Sequence, residues 1–231
     1  MHIAVIPARG GSKRIPRKNI KDFCGKPMIG WSIEAAIASG CFDCVVVSTD
    51  DEEIAAVARD FGASVPFIRP PELSDDYTGT VPVIRHAIEA LRESGHNVEY
   101  ACCIYATAPF VSPSDLQASL GVLRGTKSNY AFSVTSYAFP IQRAIRVSEG
   151  GSVTMFNPEL YQTRSQDLEE AWHDAGQFYW GRARAWCMEV PIFSNTSVAY
   201  KLPRHRVQDI DTFEDWKRAE LLFRLIQEAD S

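Results

Sequence analysis

The first twenty residues, MHIAVIPARGGSKRIPRKNI, join an apolar strand to a basic loop and predict the start of an α/β fold. The apolar run at residues 3–6 is typical of a strand covered on both faces. Two glycines follow at positions 10 and 11, and glycine lets backbone N–H groups come close to an anion. The loop also holds five cations in a chain whose formal net charge is −5: Arg9, Lys13, Arg14, Arg17 and Lys18.

This loop predicts a polyphosphate site, and a nucleoside triphosphate is the simplest ligand for it. In open α/β sheets, ligands bind beyond the carboxyl ends of the strands, where the loop falls. The sequence contains neither Gly-x-x-x-x-Gly-Lys-Ser/Thr nor Gly-x-Gly-x-x-Gly, so kinases, ATPases and dinucleotide oxidoreductases are disfavoured. The alternative is a solvated basic turn with incidental glycines, against which the position after the first strand argues.

The composition bounds the class of protein. At 231 residues, with 45% hydrophobic and 23% charged residues, the chain suits one globular domain spanning residues 1–231. An isoelectric point of about 5.6 argues against a general nucleic-acid binder. The sequence shows no signal peptide and no apolar run near the ~20 residues that a membrane span needs. We expect the six cysteines to be reduced thiols in a cytoplasmic protein that has no membrane partner.

Strand and helix patterns alternate along most of the chain. Strands are predicted at residues 3–6, 45–47, 65–68, 100–105, 130–135 and 197–202, and helices at 27–40, 51–61, 81–93, 113–123 and 212–228, with a helical turn near 182–187. A repeated strand–helix–strand order builds a parallel sheet with right-handed crossovers. The predicted fold class is therefore α/β, with three α/β/α layers and a mostly parallel sheet.

Residues 138–172 depart from this alternation. Residues 141–147 and 152–156 flank a Glu-Gly-Gly turn at 149–151 and predict a hairpin, followed by a polar stretch with few regular signals. A segment of this kind, embedded in the single domain, forms either a subunit contact or a plain surface insertion. The residues alone leave both open.

Asp209 and Asp211 form the second chemical feature. They lie two residues apart, so in an extended segment both carboxylates point to the same side. Two carboxylates on one side suit Mg²⁺ that is shared with phosphate oxygens. The alternative is structural, because Asp211 or Thr212 could cap the last helix together with Asp215. Asp50 and Asp51 are expected to cap a helix rather than bind a ligand.

The segment IPARGGSKRIPRKNI, residues 6–20, resembles the N-terminal signature of the CMP-sialic acid (CMP-N-acylneuraminate) synthetases, the cytidylyltransferases of nonulosonic acids. The resemblance runs from residue 1 to about residue 230. It implies a Rossmann-like nucleotidyltransferase fold, a homodimer formed through residues 138–172, and magnesium held by Asp209 and Asp211. It also implies transfer of CMP from CTP to the anomeric hydroxyl of the sugar acid, with release of pyrophosphate.

The resemblance also implies the roles of individual residues. Asn19 and Arg69 match positions that read the cytosine, and Thr80 matches a position near the ribose. The expected catalytic residues are Arg9, Lys13, Lys18, Asp209 and Asp211, and the expected nucleotide-binding residues are Ala8, Arg9, Gly10, Gly11, Ser12, Lys13, Lys18, Asn19, Arg69 and Thr80. The expected sugar-binding residues are Tyr105, Thr107, Gln177, Phe178 and Tyr179. No side chain stands out as a general base.

One residue that differs from the usual pattern of the family bears on which sugar acid is bound. Tyr105 stands where the neuraminic and Kdo enzymes usually have glutamine, and residues 105–110 and 173–179 instead resemble the pseudaminic branch. Related enzymes for legionaminic, neuraminic or Kdo sugars remain alternatives, as does a non-catalytic nucleotide-binding protein on the same fold. Hexose-1-phosphate nucleotidyltransferases are disfavoured, because their signature places the arginine after the Gly-Gly pair, whereas Arg9 precedes it.

Overall fold

A central six-stranded sheet organises the chain in the computed structural model, which describes residues 1–229. Residues 230 and 231 of the predicted domain lie outside the described residues. The strands are β1 (His2–Pro7), β2 (Cys44–Ser48), β3 (Tyr100–Ile104), β4 (Tyr130–Ser136), β5 (Trp172–Arg182) and β6 (Ser197–Lys201).

The strand order across the sheet is β6-β4-β5-β3-β1-β2. β5 pairs antiparallel with both β3 and β4, and the remaining neighbours pair in parallel. The prediction of a mostly parallel sheet is therefore confirmed, with β5 as the antiparallel strand.

Helices cover both faces of the sheet and make three layers. The helices are α1 (Met28–Ala38), α2 (Glu52–Asp60), α3 (Thr80–Glu93), α4 (Pro113–Arg124), α5 (Ala183–Cys187) and α6 (Phe213–Ala229). On one face, α1, α2 and α4 pack their apolar side chains against the sheet, with Ile33, Ile54 and Leu116 in one core. On the other face, α3 and α5 do the same through Ile84 and Trp186.

The last helix, α6, belongs to a third and smaller core. Its Trp216 and Phe223 contact Phe23, and the same cluster buries Ile15 of the basic loop and Ile210. Both isoleucines are at most 1% exposed. The carboxylate segment that precedes α6 is therefore held against the loop that follows β1.

Two local predictions differ from the structure. Residues 65–68 do not form a strand, because Pro66 has no N–H to donate, and only Ser64 makes a bridge, to Val46. β5 was not predicted as a strand, because it is buried on both faces over much of its length and shows no polar–apolar alternation.

The 138–172 segment does contain the predicted hairpin. Its two short strands, Ile145–Val147 and Val153–Met155, pair antiparallel and lie outside the central sheet. Within the described part of the chain, no helix combines the length and the apolar character that crossing a membrane requires.

Candidate active site

A cavity of about 430 Å³ opens beyond the carboxyl ends of β1 and β3. Three segments line it: the basic loop after β1, the stretch that leads into α3, and the turn after β3. The position agrees with the rule for open α/β sheets. The lining residues are Pro7, Arg9, Ser12, Lys13, Arg14, Lys18, Asn19, Arg69, Asp76, Thr78, Gly79, Thr80, Val83, Tyr105, Ala106 and Thr107.

The basic loop brings four of its five cations to the cavity: Arg9, Lys13, Arg14 and Lys18. The fifth, Arg17, turns away and binds Asp51 at 2.5 Å as well as Glu53. The hydrogen bond from Arg17 is the main reason why the pKa of Asp51 falls to about 2. Asp51 also caps α2 by accepting the N–H of Ile54 at 3.0 Å, so its predicted capping role is confirmed.

Gly10 is required for close packing rather than for phosphate contact in this conformation. A Cβ at this position would lie 2.6 Å from Oδ2 of Asp51, so a side chain would push the loop away from α2. The N–H of Gly10 donates to Oδ1 of Asp50 at 2.9 Å. Ala8 is buried, and neither it nor Gly10 or Gly11 is among the described residues that line the cavity.

The carboxylate of Asp76 forms ion pairs with the two cations nearest to the glycine turn. Asp76 pairs with Arg9 at 2.7 Å and with Lys13. Arg9 also donates a hydrogen bond to the backbone carbonyl of Asp75 at 2.7 Å. Hydrogen bonds from Lys13 and Arg9 hold the pKa of Asp76 below its ordinary value. Asp76 thus sits where an incoming anion would bind.

Asp211 lies beside the other end of the basic loop. Its carboxylate is 2.7 Å from Arg14 and 3.5 Å from Lys18, two cations that line the cavity. Ile210 is buried in the third core, so the alternation of side chains turns Asp209 and Asp211 the opposite way.

The helix cap is made by other residues. The backbone N–H of Thr212 donates to Oδ2 of Asp215 at 2.8 Å, and the N–H of Asp215 donates to Oγ1 of Thr212 at 3.2 Å. This reciprocal pair is a capping box. The carboxylate of Asp211 is therefore not needed to start α6.

The carboxylate pair is chemically suited to a cation. Burial, followed by the nearby charge of Asp211, raises the pKa of Asp209. A positive charge beside Asp209 and Asp211 would offset the repulsion between the two carboxylates. The described residues contain no group of three or more His, Cys, Asp and Glu placed to hold a metal by themselves, so phosphate oxygens or water would have to complete a coordination shell here.

The predicted base-reading residues lie on the cavity wall. Asn19 donates from Nδ2 to the carbonyl of Arg9 at 3.0 Å, which ties the start of the loop to its end. Arg69 is 4% exposed and donates to the carbonyl of Ser48 at 2.9 Å, while its Nε is buried without a hydrogen-bond partner among the described residues. Burial lowers the pKa of Arg69. Its guanidinium therefore has donor capacity left for a ligand.

The predicted sugar-binding residues divide into two groups. Tyr105 and Thr107 line the cavity, and the hydroxyl of Tyr105 lies 3.0 Å from Oγ1 of Thr80. Gln177, Phe178 and Tyr179 lie within β5, are at most 3% exposed and are not among the lining residues. The structure thus brings the first pair to the cavity and leaves the second group behind its wall.

Comparison with known proteins identifies the family. The model of the family described as "Cytidylyltransferase" matches residues 3–215. The chain belongs to the cytidylyltransferase family. It is therefore a CTP-dependent nucleotidyltransferase.

Individual relatives refine the picture of this cytidylyltransferase. The chain is 46% identical, over 99% of its length and 98% of the relative's, to the pseudaminic acid cytidylyltransferase of Campylobacter jejuni. It is 33% identical, over 98% of both chains, to the CMP-N,N'-diacetyllegionaminic acid synthase of Legionella pneumophila. The solved structure of CMP:2-keto-3-deoxy-manno-octonic acid synthetase complexed with CTP has a TM-score of 0.70 at 18% identity, covering 97% of this chain and 98% of that one, which shows the shared fold.

The geometry also shows residues of this cytidylyltransferase that the sequence-based prediction of the site did not include. Arg14 and Asp76 line the cavity, and Asp174 contacts Tyr179 beside it. Arg14 belongs to the basic run, so its charge was a usable signal. Asp76 lies in a polar loop far along the chain, and nothing in its local sequence indicates that it meets Arg9.

Proposed function

We propose that this cytidylyltransferase transfers CMP from CTP to the anomeric hydroxyl of pseudaminic acid, a nonulosonic acid, and releases pyrophosphate. The observation that carries the choice of sugar is the 46% identity to a pseudaminic acid cytidylyltransferase over nearly the whole length of both chains. The identity to the legionaminic relative is lower, at 33%.

The triphosphate is proposed to bind the cations of the basic loop. Arg9, Lys13 and Lys18 line one cavity and supply the positive charge that a triphosphate requires. Ser12 lines the same cavity and offers a hydroxyl group to the phosphates. Binding requires Asp76 to give up Arg9 and Lys13, because the same cations cannot satisfy both anions fully.

Asp209 and Asp211 are proposed to hold Mg²⁺. The support is that Ile210, which lies between them, is buried in the third core, and that burial followed by the charge of Asp211 raises the pKa of Asp209. When bound, the ion would supply positive charge to the phosphate oxygens of the nucleotide. Arg14 and Lys18 partly neutralise Asp211 in this structure, and they are free to turn to phosphate when a metal replaces them there.

The nucleoside is proposed to contact Asn19, Arg69 and Thr80. Cytosine O2 and N3 accept hydrogen bonds, and the buried guanidinium of Arg69 retains donor capacity at Nε. Thr80 begins α3 at the cavity wall, where its hydroxyl can meet a ribose.

The sugar is proposed to contact Tyr105 and Thr107, which line the cavity. For Gln177, Phe178 and Tyr179, sugar binding stays a prediction, since their side chains lie behind the wall in this conformation.

The reaction is an in-line displacement at phosphorus. The anomeric oxygen attacks the α-phosphorus of CTP, and pyrophosphate leaves with the electron pair of the broken bond. Because the transition state concentrates negative charge on phosphoryl oxygens, catalysis consists mainly of positioning and electrostatic stabilisation. Arg9, Lys13 and Lys18 are proposed to provide this stabilisation from the wall of the cavity.

The 138–172 segment is proposed to pair two copies of the chain. It presents an exposed apolar surface, with Phe139 82%, Val147 64% and Val153 59% exposed. Exposed apolar patches of this kind mark interaction sites.

A cytoplasmic location belongs to the proposed function, because CTP is a cytoplasmic nucleotide.

The test is a panel assay of pyrophosphate release with CTP and Mg²⁺. Pseudaminic, legionaminic, neuraminic and Kdo acids are offered in turn, and pseudaminic acid should give the highest kcat/KM. A higher value with legionaminic acid would change the substrate, whereas no release with any sugar would favour a nucleotide-binding protein without catalysis.

A further inference from the structure

Strand β5 carries a bulge that presents Asp174 beside the cavity. Phe132 of β4 pairs with Tyr179, whereas Val134, only two residues on, pairs with Asp174, so β5 accommodates extra residues between the two pairs. Gly176 sits in the bulge with φ +62°, a conformation that favours glycine, and its N–H donates to Oδ1 of Asp174 at 2.9 Å. Bulges beside active sites commonly re-aim a side chain, and here the redirected group is a carboxylate.

A line of hydroxyl groups connects this carboxylate to the cavity. The hydroxyl of Tyr179 donates to Oδ2 of Asp174. The ring of Tyr105 lies beside that of Tyr179, with centroids 5.4 Å apart, so the two phenol groups are neighbours. The hydroxyl of Tyr105 lies 3.0 Å from Oγ1 of Thr80, and both of these residues line the cavity.

The transfer reaction needs an acceptor for the proton of the attacking hydroxyl. Among the described residues that line the cavity, Asp76 is the one carboxylate. Lys13 and Arg9 hold its pKa below the ordinary value, which makes it a poor acceptor. Asp174 differs from Asp76 in its contact toward the cavity, which is a neutral hydroxyl group and not a cation.

We propose that Asp174 is the final proton acceptor of the transfer reaction and that Tyr105 and Tyr179 carry the proton to it. The inference rests on the proposed function and adds a route for the proton. Tyr105, which meets the sugar, is the catalytic residue of this route. Tyr179 and Asp174 act through it.

Every bond that breaks in this step has a group that takes its proton or electron pair. The anomeric oxygen forms its bond to the α-phosphorus while its O–H bond breaks, and the P–O bond to pyrophosphate breaks with its electron pair on the leaving oxygen. The sugar proton passes to the oxygen of Tyr105, the proton of Tyr105 passes to Tyr179, and the proton of Tyr179 passes to the carboxylate of Asp174. Burial raises the pKa of both tyrosines, so neither remains a phenolate and the protons move together.

The carboxylate of Asp174 lies among phenol and thiol groups. The titratable groups that act on it are Tyr179 on its own strand and, from β3 and the turn after it, Cys103 and Tyr105. Burial raises the pKa of the Cys103 thiol, which stays neutral. The residue that pairs with Asp174 on β4 is Val134, which carries no charge.

Asp174→Asn tests the route. Asparagine keeps an oxygen for the N–H of Gly176 and so keeps the bulge, but it cannot accept the proton. With the nonulosonic acid that the wild-type protein turns over, kcat should fall about a hundred-fold, in the range of lost general-base catalysis, while the CTP Kd and the melting temperature stay unchanged.

Two tyrosine variants form a matched pair. Tyr179→Phe breaks the chain of hydroxyl groups without touching Asp174 or the bulge, and kcat should again fall steeply. Tyr200→Phe removes another Tyr–Asp hydrogen bond, 3.0 Å from Tyr200 to Asp115, outside the cavity lining, and should leave kcat unchanged.

The outcomes separate the route from the reaction itself. If Asp174→Asn and Tyr179→Phe keep kcat within threefold, the route is wrong. If Asp174→Asn lowers both kcat and the melting temperature while Tyr179→Phe keeps kcat within threefold of wild type, Asp174 has a structural role only and the route is also overturned. If Asp174→Asn fails to fold, Tyr179→Phe decides. A wild-type protein that turns over no nonulosonic acid refutes the proposed function instead.

Discussion

Replacing Asp211 by alanine should cost activity far more than stability. The cap of α6 does not depend on the Asp211 side chain, because Thr212 and Asp215 form it reciprocally at 2.8 and 3.2 Å. The carboxylate of Asp211 instead faces Arg14 at 2.7 Å and Lys18 at 3.5 Å. The variant therefore removes one proposed metal ligand and leaves the capping box in place.

The expected magnitudes follow from these contacts. The Arg14 side chain is 68% exposed, and ion pairs at such positions contribute about 0–1 kcal/mol. Removing Asp211 also relieves its repulsion of Asp209. The melting temperature should therefore fall by no more than about 4 °C. Loss of one of the two proposed ligands of the ion that stabilises the transition state should lower kcat by about a hundred-fold or more.

Thr212→Ala is the matched control. It removes the capping box of α6 and should cost about 1 kcal/mol of the free energy of unfolding, with kcat unchanged. Pyrophosphate release and thermal denaturation measure the two effects on the same samples. The proposed metal site is refuted if folded Asp211→Ala keeps kcat within twofold of wild type, or if Thr212→Ala loses as much activity as Asp211→Ala does.

Charges elsewhere give two further expectations. Arg9→Ala should weaken CTP binding about tenfold, as expected for a lost charge-assisted contact. Asp76→Asn should tighten CTP binding a few-fold, because Arg9 is released from its ion pair. Titration calorimetry measures both affinities, and unchanged values would count against the assignment of the basic loop to the triphosphate. The hydrogen bond from Arg17 lowers the pKa of Asp51 from 3.8 to about 2, so Asp51 stabilises the fold above about pH 4, and this contribution is lost as the pH falls toward 2. Because solvent screens the partly exposed Arg17, urea unfolding of Asp51→Asn should differ from wild type by roughly 1 kcal/mol at pH 6 and by much less at pH 2, and a constant difference would contradict the assignment.

Local patterns predicted the parts of the fold that depend on local chemistry. The apolar runs of β1 and β2, the cap at Asp51 and the hairpin in the 138–172 segment agree with the structure. Predictions failed where pairing depends on distant partners. Residues 65–68 look like a strand, but Pro66 breaks the ladder, and β5 is recognisable only once β3 and β4 are seen on either side of it.

The sequence by itself determined the chemistry of this protein: a glycine turn with cations after the first strand, and two aspartates spaced to face one side. It could not decide what those groups meet. Asp211 reaches Arg14 because Ile15 and Ile210, far apart in the chain, are buried in one small core. The ion pair between Asp76 and Arg9 also joins residues far apart in the chain. The contact between Asp174 and Tyr179 likewise depends on the bulge in β5. Residue type and spacing are local properties, whereas contacts between distant side chains exist only after the cores have packed.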